Sequence, residues 1–212
     1  MCGIVGGITS KNITPLLLDG LKRLEYRGYD SSGLVILSQD NKLVRERAAG
    51  KVSNLENNLK LKKPSFKGNV GLAHTRWATH GKPSVNNAHP HISRNLISVV
   101  HNGIIENYIE LKDLQIKQGY AFTSETDTEV IAHAIESAIK SSNSLLKATQ
   151  KAIKTLDGSY GIGILSSKYP DQIIAARKGS PLVIGIGDNG NYVASDQMAL
   201  LSVTDKFIFL EE

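Results

Sequence analysis

Apolar and polar positions along this chain change rhythm often, and each rhythm predicts an element. GIVGGI at 3–8 is a short apolar run and predicts a strand. From Thr14 to Leu24 the period lengthens. Leu16, Leu17, Leu21 and Leu24 share one face of a predicted helix, and Pro15 suits its first turn. The Gly- and Asp-rich stretch EYRGYDSSG at 25–33 predicts a turn. It leads into GLVIL and KLVRER, which pair as a hairpin around Asp40-Asn41. A polar amphipathic stretch at about 53–61 predicts a helix. NVGLAHTRW at 69–77 and NLISVVHNG at 95–103 read as buried strands running into loops. Helices are predicted at about 104–118, 125–140 and 144–156. Ser124 or Thr126 can cap the second of these, and Glu129 stands three residues after Thr126, as a capping box requires. The last quarter alternates strand and turn through SYGIGILS, QIIAARK, LVIGIG and NYVAS, then a short helix at about 195–201 and the strand FIFL.

Hairpins and paired helices outnumber βαβ units in this order. That predicts an α+β fold with mainly antiparallel sheets packed on each other and covered by helices. No repeat, low-complexity linker or composition shift divides the chain, so residues 1–212 read as a single domain. The sequence stops directly after an apolar strand, which reads as a domain cut from something longer.

Composition narrows the function classes. The net charge of +5 invites a nucleic-acid reading, but the basic residues are spread along the chain. The densest group, KLKK at 60–63, has no interleaved aromatics, so no nucleic-acid partner is expected. A single cysteine excludes an internal disulfide framework. No apolar run is long enough to span a bilayer, and MCGIVGGITSK lacks the basic start and apolar length of a signal peptide. A cytoplasmic protein with no membrane partner is the expectation.

That lone cysteine is residue 2, behind only the initiator methionine. With Met1 removed, Cys2 carries a thiol and a free α-amine, a nucleophile and a base matched to it near neutral pH. The competing reading is a small buried apolar side chain. In HTRWATHG at 74–81, Arg76 can hold a carboxylate bidentately, and Trp77 and Thr79 before Gly81 have the makings of a hinged lid. A surface loop with a salt-bridged arginine explains the same residues. In HNG at 101–103, the Asn102 carboxamide and the Gly103 N–H are suitable parts for an oxyanion hole, although Asn-Gly is also a plain turn dipeptide. Asp127, at a predicted helix start, can anchor an ammonium or simply favour the helix dipole.

Two further patterns fall away. GIGDNG at 185–190 matches G-x-G-x-x-G, but strand-like NYVAS follows where a dinucleotide site needs a helix, so Asp188-Asn189-Gly190 predicts a hairpin turn. His89-Pro90-His91, with His74, His80 and His101 nearby, makes a metal site conceivable. Yet there is no second cysteine, no HExxH and no carboxylate at ligand spacing. No cofactor and no metal is expected.

The joint order of CGIVG, LEYRGYDSSG at 24–33, AHTRWATHGKPS at 73–84, NAHPH at 87–91, VVHNGIIEN at 99–107 and SETDTEVIAH at 124–133 is specific. It closely resembles the glutaminase (class II glutamine amidotransferase) domains of the glucosamine-6-phosphate synthases, the isomerizing glutamine–fructose-6-phosphate aminotransferases. GSPLVIG at 179–185 and ASDQMALL at 194–201 extend the likeness over nearly the whole chain. The resemblance implies an N-terminal-nucleophile hydrolase fold, a four-layer αββα sandwich. It implies Cys2 as the nucleophile toward the side-chain amide of L-glutamine, its own α-amine as proton carrier, and Asn102 and Gly103 as the oxyanion hole. It further implies Arg76 against the α-carboxylate, Asp127 against the α-ammonium, and Trp77, Thr79 and His80 in a mobile loop, His80 being mainly structural. A sugar isomerase domain in the same full-length protein, and a homodimer of that protein, are implied as partners. Two other readings stay open. One is an N-terminal-cysteine amide hydrolase of another branch, such as the amidophosphoribosyltransferases. The other is a non-catalytic binding module. If Met1 stays attached, the α-amine of Cys2 is locked in a peptide bond and the base is lost.

Overall fold

The computed structural model describes residues 2–62 and 66–212. Met1, with the expected loss of the initiator, and Lys63 of the KLKK group lie outside the described residues. The strands are β1 (Gly3–Thr9), β2 (Ser31–Leu37), β3 (Leu43–Ala49), β4 (Val70–Arg76), β5 (His91–Ser93), β6 (Ile97–Ile105), β7 (Gly158–Ser166), β8 (Tyr169–Lys178), β9 (Val183–Gly187), β10 (Gly190–Ala194) and β11 (Lys206–Phe209). The helices are α1 (Thr14–Leu24), α2 (Val52–Leu61), α3 (Tyr108–Lys117), α4 (Glu129–Ile139) and α5 (Leu145–Ile153). One sheet has the order β11-β9-β10-β1-β4-β2-β3, the other β5-β6-β7-β8. All the described strand pairs are antiparallel.

Three apolar cores separate four layers. Leu17, Leu21 and Leu24 of α1 and Leu55 of α2 meet Val5, Leu34, Ile36 and Ala73 of the larger sheet. Val130, Ile131 and Ile135 of α4 and Ala148 of α5 meet Ile97, Val99, Ile162 and Ile164 of the smaller sheet. Between the sheets lie Ile4, Val35, Leu72, Val100, Leu165 and Val193. This is the expected αββα sandwich. Each fully buried Leu, Ile or Val contributes roughly 1.5–3 kcal/mol of transfer free energy. Because β2 and β4 are covered on both faces, every residue in each is buried. That is why they read in the sequence as continuous runs and not as alternating ones.

Strand parity now sorts the polar residues. Successive side chains point to opposite faces. On β4, Val70 and Leu72 enter the inter-sheet core while Ala73 faces the helices. His74 and Arg76 therefore share the inter-sheet side. On β6, Val100 faces inward and Val99 faces the helices, so Asn102 points inward and His101 toward α4. Cys2 precedes β1 with the parity of Ile4. Four residues from three distant stretches of sequence, Cys2, His74 with Arg76, and Asn102, are thus aimed into one layer, at the end where the apolar side chains stop.

Several predicted boundaries need correction. HNG at 101–103 does not close its strand, because β6 runs on to Ile105 and pairs with β7 throughout. Asn-Gly is therefore no turn here, and the following helix starts at Tyr108 instead of 104. The helix expected from 125 starts at Glu129, with Thr128 as N-cap and no side-chain cap. Neither Ser124 nor Thr126 caps it. The Thr126 and Thr128 hydroxyls are instead bonded to buried imidazoles. Glu129 does reach back, to the backbone N–H groups of Thr123 (2.9 Å) and Ser124 (2.8 Å). It thereby pins the loop that carries Asp127. The helix expected at 195–201 is a single 3₁₀ turn, Gln197–Ala199. His91 opens a short strand, β5, that the pattern did not predict. GIGDNG is the predicted hairpin, with Gly187 opposite Gly190.

Candidate active site

Cys2 sits at the open end of the inter-sheet layer, one step beyond the Gly3–Thr75 pair and so beside Arg76. Its Sγ accepts the Trp77 backbone N–H at 3.1 Å and lies 3.5 Å from the Trp77 carbonyl, to which the thiol donates. Burial pushes the thiol pKa up, opposed by the Trp77 N–H and by the Arg76 charge. At neutral pH Cys2 therefore rests as a thiol.

Arg76 is almost fully buried, at 3% exposure. Its guanidinium donates to the carbonyls of His80, Gly81 (2.9 Å) and Lys82 (3.4 Å). It also lies 3.5 Å from Asp30 Oδ1. Asp30 Oδ2 accepts the Ala78 N–H at 2.5 Å. These bonds hold residues 77–82 down as a flap over Cys2. The Trp77 ring, half exposed, lies across Gly28, where an added Cβ would come within 2.4 Å of a ring carbon. Gly28 also has φ +75°, so glycine is required twice over at the flap's seat. Thr79 is exposed on the flap, and the His80 ring packs edge-on against Tyr108 at 5.0 Å.

Asn102 donates from Nδ2 to the Cys2 carbonyl at 3.2 Å. Its Oδ1 lies 3.0 Å from His74 Nε2, which is also 3.0 Å from the His101 carbonyl. Gly103 has φ +134°, and a Cβ there would stand 2.1 Å from the Ser159 carbonyl oxygen. Only glycine fits. Two residues on, Ile105 sends its N–H away from β7 to Asp127 Oδ2 at 2.8 Å. N–H groups two apart on a strand point to the same side. The Gly103 N–H is thereby directed away from β7, toward the side lined by Asp127. Asp127 is buried at 3% exposure, and among the described residues the hydrogen bond from Ile105 goes to Oδ2, with no bond found to Oδ1.

Cys2, Arg76, Trp77, Thr79, His80, Gly103 and Asp127 line one crevice. Its cavity volume is only about 10 Å³. Every sequence-predicted site residue except Asn102 is in that lining, and Asn102 touches it through Cys2. Beneath it His89, His91 and His101 join Thr126 and Thr128 in a buried polar floor. Burial drives the pKa of all three imidazoles down, and that of His74 to about 3, so all four are neutral. Among the described residues no group of three His, Cys, Asp or Glu is placed to hold a metal ion. Asp30, Gly28 and His74 are the positions that sequence reasoning left without a role, although all three lie inside the motifs it singled out.

The chain is similar to known proteins in sequence and in fold. The protein family described as "Glutamine amidotransferase domain" matches residues 74–202. Over all 212 residues the chain is 55% identical to the glutamine–fructose-6-phosphate aminotransferase [isomerizing] of Pseudomonas putida, and 55% identical to that of Acinetobacter baylyi. It spans about a third of the length of these relatives, 34% in each case. Among solved structures, the glutamine phosphoribosylpyrophosphate amidotransferase of B. subtilis superposes with a TM-score of 0.82 at 27% identity, covering 100% of this chain and 45% of that one. A glutamine aminotransferase class-II domain protein from Silicibacter pomeroyi shares the fold, with a TM-score of 0.64 at 17% identity over 99% of this chain and 91% of that one. The chain belongs to the glutamine amidotransferase domain family.

Proposed function

We propose that this chain releases the side-chain nitrogen of L-glutamine as ammonia, leaving glutamate, through a γ-glutamyl thioester on Cys2. The observation that carries the reading is the convergence of the Cys2 thiol, the Arg76 guanidinium, the Asn102 carboxamide and the Asp127 carboxylate at one crevice. A thiol held protonated by burial needs a base at the moment of attack. With Met1 removed, the Cys2 α-amine supplies one, titrating ordinarily at about 7.7–8.0. The sulfur attacks the amide carbon, the amine takes the thiol proton, and a tetrahedral oxyanion forms. The Asn102 amide and the Gly103 N–H stabilise that oxyanion. The amine returns the proton to the departing nitrogen, ammonia leaves, and water hydrolyses the thioester with the same amine as base.

Selectivity follows from the two buried charges. The Arg76 guanidinium turns from the flap carbonyls to the α-carboxylate, and the second oxygen of Asp127 receives the α-ammonium. A neutral amide offers a counter-charge to neither of these buried groups, so it forgoes both interactions. The crevice is too tight for an amino acid as it stands, so the 77–82 flap lifts to admit one.

A finer reading rests on the motif resemblance together with the names of the relatives. In a longer, homodimeric cytoplasmic protein with a sugar isomerase domain, the ammonia would convert fructose 6-phosphate to glucosamine 6-phosphate. The test begins with intact mass to verify that the chain starts at Cys2. Ammonia release is then measured with glutamine, asparagine and simple amides. Turnover of glutamine alone, abolished in Cys2→Ala, is expected. No release from glutamine by chain of verified N-terminus would overturn the reading.

A further inference from the structure

The hydrogen bonds of His74 bear on which way the Asn102 amide faces. The ring is wholly buried at the heart of the inter-sheet layer. Nε2 lies 3.0 Å from the His101 carbonyl and 3.0 Å from Asn102 Oδ1. A main-chain carbonyl can only accept, so Nε2 must carry the hydrogen. That one hydrogen is shared between the His101 carbonyl and Asn102, so the Asn102 atom meeting it must be the amide oxygen. The NH₂ group is turned the opposite way, where one of its two hydrogens reaches the Cys2 carbonyl at 3.2 Å. The second hydrogen is left for an acceptor beside Cys2.

We infer that His74 is a positioning residue, whose Nε2–H locks the Asn102 carboxamide with its NH₂ toward the reacting carbon, so that the amide donates to the oxyanion. With that hydrogen removed, only the Cys2 carbonyl still distinguishes the two amide orientations. The flipped one would put an oxygen lone pair against the developing negative charge. The inference rests on the glutaminase reading above and on Asn102 as oxyanion donor.

Gln and Asn discriminate the role from simple packing. The side-chain nitrogen of Gln can reach the place of Nε2, whereas that of Asn falls short, near Nδ1. His74→Asn should lower kcat for glutamine by roughly 10–100-fold, the size of a misplaced catalytic group, with KM unchanged. His74→Gln should stay within about threefold of the parent, and the rate of Cys2 alkylation should match in all three proteins. Equal losses in the Gln and Asn variants, or full activity in His74→Asn, would overturn the inference. Nitrogen NMR of the histidine-labelled parent tests it without any variant. A buried ring protonated at Nε2 and bare at Nδ1 is expected, and the opposite tautomer refutes the lock. Asn102→Ala separates the two readings. If kcat survives in Asn102→Ala, the oxyanion assignment fails, whatever the tautomer of His74.

Discussion

Arg76 and Asp30 form the hinge pin of the flap: the guanidinium and the carboxylate lie 3.5 Å apart, and each also holds backbone of residues 78–82. The arginine is buried, so its charge depends on this partner. Removing one member of such a pair costs about 3–5 kcal/mol, because the other charge is left uncompensated. The three flap carbonyls offset part of that here. Asp30→Ala is expected to lower unfolding free energy by ~3 kcal/mol, read from the urea midpoint at constant slope. A change below ~1 kcal/mol would show that the carbonyls alone satisfy Arg76.

Trp77 is the only tryptophan in the chain, so selectively excited tryptophan fluorescence reports on the flap. Its ring is half exposed against Gly28. Saturating a Cys2→Ala variant with glutamine should change the emission as the flap reseats. Gly28→Ala should shift the emission of the free protein and raise KM about tenfold, equivalent to ~1.4 kcal/mol of binding. Identical spectra with and without glutamine would mean that the flap does not move.

The layers were legible in the sequence because buried strands and amphipathic helices leave different spacings, as in GIVGGI and in Leu17, Leu21 and Leu24. Local rules failed where distant partners outbid them. Asn102-Gly103 has a turn's composition, but nine residues of pairing with β7 keep it extended. Thr126 and Thr128 have capping chemistry, but buried imidazoles take their hydroxyls. Asp30 and His74 lie inside recognised motifs, but nothing local assigned them these roles. Their partners stand 48 and 28 residues away, and only the folded register brings them together.

The Cys2 thiol should behave as a sluggish nucleophile toward small electrophiles. Burial raises its pKa, so its thiolate fraction at pH 7 is below that of an ordinary cysteine near 8.5. Iodoacetamide should label it slowly at neutral pH, with a rate that keeps climbing through pH 9. A glutamine-like electrophile that engages Arg76 and Asp127 should react far faster at pH 7, because binding holds it against the sulfur. A thiolate absorbance that titrates below pH 8 would contradict the burial argument and remove the need for the α-amine as base.

The buried imidazoles make the fold acid-sensitive in a definite window. His74, His89, His91 and His101 are neutral in the native state, with pKa values lowered by burial, His74 to about 3. Unfolded histidine titrates near 6.5. Between these values the unfolded chain binds more protons, so stability falls as pH drops below about 6.5 and stops falling only below the native pKa. For His74 alone the loss from pH 7 to pH 5 is ~2 kcal/mol, and the other three act in the same direction. Asp19 and Glu56, whose pKa values are held low by Arg23 and Lys22, stay ionised through this range and contribute no opposing slope. Urea midpoints at pH 7 and pH 5 measure the effect directly. A midpoint that does not move would mean that these imidazoles take up protons without unfolding, and would refute their neutrality in the native state.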